Sequence, residues 1–229
     1  MIDLINTPLF GILISIIAFE FGIFINKKTK LAIFNPLLIS ILTIIIFLLK
    51  FNINLSVYNK GANFISFFLS PATVILAVPL YKQLNILKSN LIPILIGISI
   101  GCITAIISVS FLIKLFNISN DIGLSLIPKS ITTPIGIEVS RQIGGIPSIT
   151  VVAIIITGIL GAIIAPVVCK IFKIKNKIAV GIAIGTSSHA LGTTKAMEIG
   201  EIEGAMSSLS IGIAGLITVF LAPALIKIF

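Results

Sequence analysis

Residues 120–147 read N-D-I-G-L-S-L-I-P-K-S-I-T-T-P-I-G-I-E-V-S-R-Q-I-G-G-I-P. The stretch is too polar for a helix facing lipid and too apolar for an ordinary loop. Pro128 and Pro134 punctuate it, and a proline inside a helix removes a backbone hydrogen bond and clashes with the preceding turn. In hydrocarbon every backbone N–H and C=O needs an internal partner, so a broken helix persists there only against protein, water or a ligand. The stretch therefore predicts two half-helices that enter and leave on one side, a re-entrant hairpin.

The flanks supply the membrane. Of 229 residues, 57% are hydrophobic and 10% charged, with a mean hydropathy of +1.25. A soluble domain carries roughly 45–50% apolar and about 25% charged residues. At roughly 20 apolar residues per span, the chain predicts an all-α polytopic membrane protein with about seven full spans plus the re-entrant hairpin. Charge-poor runs at 7–25, 31–49, 91–113, 146–169 and 205–226 are the clearest spans. Lys50 to Lys60 reads as a polar loop. Residues 61–81 carry no charge but are interrupted at Ser70-Pro71 and Pro79. Residues 178–194 end in G-T-S-S-H-A-L-G-T-T, which marks a broken helix. The N-terminus lacks the basic segment of a cleaved signal peptide, so the first run is expected to stay as a span.

The net charge of +9 does not point to nucleic acid, because the lysines are dispersed between apolar runs. A basic excess in short loops is the positive-inside pattern of a membrane protein. Cys102 and Cys169 both sit in apolar runs, which excludes a disulfide scaffold, and their spacing resembles no metal site. No nucleophile elbow, phosphate loop or dinucleotide fingerprint is present. Neither an enzyme nor a cofactor or metal is expected.

Ile94–Phe116 and Leu209–Phe229 both end in L-I-K-(L/I)-F. A half-length of about 115 residues fits a duplicated unit, with residues 1–116 as the first repeat and 117–229 as the second. The plain alternative is that isoleucine-rich spans resemble each other by composition. Taking 120–147 as re-entrant keeps Lys173–Lys177 on the same side as Lys27–Lys30, Lys82 and Lys88. It also inverts the second half relative to the first, with an outside N-terminus and a cytoplasmic C-terminus. Inverted repeats with interrupted helices mark secondary transporters, whose substrate sites lie at the breaks.

Two breaks carry chemistry. Lys129 sits between the prolines beside Ser130, Thr132 and Thr133, and a cation with hydroxyls and freed N–H groups suits a carboxylate. The alternative is a lysine snorkelling to the interface. His189, the single histidine of the chain, follows Ser187 and Ser188 and precedes Thr193. Its unperturbed pKa of about 6.5 makes it a proton-relay candidate, unless it only hydrogen-bonds between helices. Ser70–Thr73 with Pro79 is a third break without charge. Among the acids, Glu138 can pair with Arg141 three residues on and is a second candidate for coupling a proton. Glu198, Glu201 and Glu203 read equally as a solvated face, and Glu20 interrupts the first span.

The blocks Leu126–Thr150 and Gly181–Leu209 resemble the signature blocks of the LrgB/CidB family. T-P-L-F-G-I at Thr7–Ile12 and the run Phe68–Tyr81 resemble it as well. The resemblance implies a multi-pass protein of the bacterial inner membrane, paired with a small membrane protein of the LrgA/CidA type as a separate chain; a homodimer is compatible with it. Two functional accounts attach to the family. One is antiholin-like modulation of murein hydrolase activity and autolysis. The other, through similarity to the plastidial glycolate/glycerate translocator, is transport of small monocarboxylates such as pyruvate or glycolate. In the transport account Lys129 neutralises the anion, and Ser130, Thr132 and Thr133 hydrogen-bond it. Ser187, Ser188 and His189, with Thr193, close the other side, and His189 also takes the proton; these roles come from the chemistry of the residues and not from the family.

Overall fold

The structure, a computed structural model, describes residues 7–29, 34, 36–68, 71 and 77–226. The chain forms two compact units, Met1–Ile75 and Leu76–Phe229. Compaction and duplication are different properties, and the division between units does not bear on a repeat boundary at 116/117.

Unit 1 contains α1 (Pro8–Thr29), α2 (Pro36–Lys50) and α3 (Leu55–Phe67). Residues 55–60, expected within a polar loop, instead open α3, whose start is capped by the Asn54 side chain accepting from Ser56 N at 2.9 Å. That bond satisfies one of the donors a helix start leaves free. α1 and α3 touch through glycines: a Cβ on Gly11 would lie 2.9 Å from Gly61 Cα. One turn further along, the Ser15 and Tyr58 hydroxyls meet at 2.9 Å. The break expected at Ser70–Thr73 falls, apart from Pro71, outside the described residues. Glu20 lies on the exposed side of α1.

Unit 2 contains α4 (Ala77–Lys82), α5 (Leu84–Ser89), α6 (Leu91–Leu115), α7 (Asn120–Leu126), α8 (Thr133–Ile143), α9 (Pro147–Ile171), α10 (Lys177–Ile199) and α11 (Glu201–Ile226). The stretch 120–147 is two short helices, as its prolines require. α7 ends just before Pro128, residues 127–132 make the turn, and Pro134 sits in the first turn of α8. α8 stops at Gly144, whose φ of +86° suits a residue without Cβ. Polar side chains close the base of this hairpin. Ile146 N donates to Ser125 Oγ at 2.6 Å, and the Thr150 hydroxyl donates to Ser125 O at 2.9 Å.

α10 departs from the expectation of a broken crossing. At His189 the backbone takes φ 44° and ψ −137°, a conformation rare for a side chain with Cβ, and the chain reverses. A Cβ on Gly192 would stand 3.1 Å from Ile184 O, whereas residues eight apart in a straight helix are about 12 Å apart. Gly181 packs on Met206 and Gly204 on Met197, so both ends of α10 lie against the first turns of α11. Residues 177–188 and 190–199 are thus the two arms of a second helical hairpin.

This reversal corrects the expected course of the chain. Gly97 packs on Ile182 and Gly101 on Thr186, while Gly181 and Gly185 pack on Met206 and Ser207. α6, α10 and α11 therefore start at one end of unit 2, the end where α9 finishes in Lys170. An inverted pair of halves 1–116 and 117–229 would set their last helices, α6 and α11, in opposite directions; they start together instead. The C-terminal end of α11 lies opposite Lys170–Lys177, so the two do not share a side as expected. The α7–α8 hairpin has its base beside Ile113, at the other end. Within unit 2, beside α4 to α6, two hairpins thus enter from opposite ends, each followed by a long helix.

Among the described residues α1, α6, α9 and α11, of 22 to 26 residues, are long and apolar enough to cross a membrane, and α2 is a shorter apolar helix. The chain is an all-α, multi-span membrane protein.

Candidate functional site at the hairpin tips

A cavity of about 1110 Å³ runs between α6, α9 and the first arm of α10. At the lysine-rich end Asn90, Pro93, Ile174 and Asn176 line it. Its inner end is formed by Lys129 and Ser130 from the tip of the α7–α8 hairpin and by Thr186, Ser187 and Ser188 from the arm before the α10 reversal. The tips of two hairpins from opposite ends thus meet across one space. Breaking helices there frees backbone groups, and such breaks are tolerated where the backbone is buried in protein or lines a cavity.

Ser187 donates to Ala183 O at 2.8 Å and lies 3.0 Å from the Ser188 hydroxyl. Ser130 is buried. Among the described residues lining the cavity Lys129 is the only charged side chain. It is half-buried, with no ion pair among the described residues. Sequence reasoning passed over Thr186. It is 6% exposed, and its Oγ1 has no hydrogen-bond partner, although a buried hydroxyl left unpaired costs about 1–3 kcal/mol. Thr104 and Thr157, which stand in the apolar runs of α6 and α9, also line the cavity.

The other anticipated residues lie apart from the cavity lining. His189 is buried behind Ser188, its Nε2 2.9 Å from Ile154 O. A Cβ on Gly158 would come 2.6 Å from the imidazole Cε1, so the glycine makes room for the ring. Thr193 donates to His189 O at 2.9 Å and meets the Ser207 hydroxyl at 2.7 Å. These bonds tie the reversal to α9 and α11. Thr132 and Thr133 begin α8 just beyond the tip, half-buried. Glu138 is exposed and paired with Arg141 at 2.6 Å. Of the three acids read as a solvated face, Glu198 pairs with Lys195 at 2.7 Å, but Glu203 is buried. No group of three or more His, Cys, Asp or Glu residues able to hold a metal stands together among the described residues.

Opposed hairpins inside a bundle of long apolar helices define an all-α, multi-pass protein of the inner membrane. The LrgB-like family model matches residues 15–228, and the chain belongs to that family. It is 38% identical over 218 residues, 95% of each chain, to the antiholin-like protein LrgB of Bacillus cereus strain B4264. The antiholin-like protein LrgB of Bacillus anthracis strain CDC 684 / NRRL 3495 shows the same identity and coverage. No solved structure matches. As a member of this family the chain is a membrane protein and not an enzyme.

Proposed function

We propose that the chain is a secondary carrier for a small monocarboxylate of the pyruvate or glycolate kind, working with a small LrgA/CidA-type membrane protein. The observation that supports this most is the meeting of two opposed hairpin tips at the inner end of one cavity, with an unpaired ammonium among hydroxyls. Lys129 would neutralise the carboxylate, and Ser130, Thr186, Ser187 and Ser188 would hydrogen-bond it. Positive-inside bias would set the lysine-rich end of the cavity in the cytoplasm. The α7–α8 hairpin with α9, and the α10 hairpin with α11, would then be the two members of an inverted repeat.

The names of the relatives favour a second reading: an antiholin-like regulator of murein hydrolase activity and autolysis. That role needs no interior site for a small anion, and the cavity favours the carrier. Altered flux of a metabolite that changes autolysis would join the two. Uptake of labelled pyruvate and glycolate into proteoliposomes, with and without the partner, separates them. The carrier reading expects uptake that Lys129→Ala reduces by about tenfold or more, since a charged hydrogen bond is worth roughly 1.5–3 kcal/mol. No uptake of either acid, with the partner present, leaves the regulatory reading standing.

A further inference from the structure

A carrier that moves an anion through an apolar layer must also bring its empty site back. The charge on Lys129 makes that return difficult, because an unpaired ammonium inside the membrane is costly. No neighbouring acid among the described residues offsets it. α6 offers the tip Gly101 and Ala105, α9 offers Gly161, and α10 offers Thr186 to Ser188. The titratable groups of these helices lie elsewhere. Cys102 and Lys114 of α6 are, respectively, buried and in its last turn. Cys169 and Lys170 of α9 and Lys177 of α10 are at the lysine-rich end, as are Lys195 and Glu198, which pair with each other. Asp121 is in the first turn of α7, at the hairpin base, and Glu138 and Arg141 of α8 are paired and exposed. Glu201 and Glu203 are in the first turn of α11, whose Gly215 meets the hairpin arm at Ile135. His189 turns its ring away, onto Ile154 O.

We infer that Lys129 is the proton carrier of the cycle: it holds the cargo as an ammonium and returns empty as a neutral amine. The inference rests on the carrier reading. Loading adds one proton to the amine nitrogen and one carboxylate beside it, so the occupied site is neutral. Release reverses both steps, the carboxylate leaving first and the proton following into water. Each turn moves one monocarboxylate and one proton together, and no net charge crosses. An amine can follow this cycle, whereas a guanidinium keeps its proton.

The test uses the full chain, with its partner if uptake requires it, in proteoliposomes loaded with a pH-sensitive dye. Wild-type uptake of labelled pyruvate is expected to follow an imposed proton gradient one for one and to ignore an imposed potential. Lys129→Arg should retain exchange of internal for external pyruvate, because the loaded site stays neutral. Its net uptake should fall by about a hundredfold, because the empty site stays charged. Net uptake at the wild-type rate in Lys129→Arg overturns the inference, as does wild-type uptake that follows potential and not the proton gradient. If arginine abolishes exchange as well, His189→Gln decides: proton coupling retained upholds Lys129, and coupling lost assigns the proton to the imidazole. Wild-type exchange without proton movement defeats this inference alone, whereas neither uptake nor exchange defeats the carrier reading and this inference with it.

Discussion

Thr186 and His189 lie three residues apart and do different work. Thr186 keeps a hydroxyl without a partner where two hairpin tips meet, while the imidazole of His189 is tied to Ile154 O. Removing an unsatisfied buried group while keeping its shape is neutral or stabilising. Thr186→Val is therefore expected to leave the melting temperature in detergent unchanged or raise the stability by about 1 kcal/mol, and to weaken carboxylate binding measured by equilibrium dialysis. Unchanged affinity would remove Thr186 from the site. At Gly158 the argument concerns space. An added methyl must displace the ring of His189, and overpacking of a filled interior costs typically about 1–3 kcal/mol. Gly158→Ala should lower thermal stability by that order, with His189→Ala on the same background recovering part of the loss.

The two hairpins differ in how openly the chain announces them. Pro128, Pro134 and Gly144 mark the α7–α8 hairpin in the order turn, helix start, helix stop, and the structure follows them. The α10 reversal has no such punctuation at residue 189, where a histidine stands in a conformation suited to glycine. The determinants of the reversal lie far along the chain, in Gly158 and Gly161 of α9 and Ser207 of α11, so a local reading finds a break but not its angle. Lys129, Ser130, Ser187 and Ser188 were legible because they flank breaks. Thr104 and Thr157 were not, because a threonine in an apolar run reads as span until packing shows what it faces, and Thr186, although inside the broken segment, gives no local sign that its hydroxyl is left unpaired. Cross-linking tests the reversal. Ile184 and Ala196 share one buried cluster, whereas a straight helix would hold them about 18 Å apart. Ile184→Cys with Ala196→Cys, in a background with Cys102 and Cys169 replaced by alanine, should form an intramolecular disulfide on mild oxidation. No disulfide would argue for a helix that crosses.

Across the whole molecule, the reversal changes where the chain finishes. α11 starts at the lysine-rich end and leads away from it. Lys173→Cys and Ile226→Cys, tested separately in intact cells with a membrane-impermeant maleimide, should be protected at 173 and labelled at 226. Labelling of both or protection of both would reinstate a shared side. The same architecture lets one cavity run from the lysine-rich end to the two hairpin tips. The most direct measurement is an experimental structure of the chain in a lipid nanodisc with bound pyruvate or glycolate. The account predicts the carboxylate between Lys129, Ser130 and Thr186, with residues 177–188 and 190–199 folded back beside it. A ligand bound elsewhere, or none at saturating concentration with the tips apart, would contradict it.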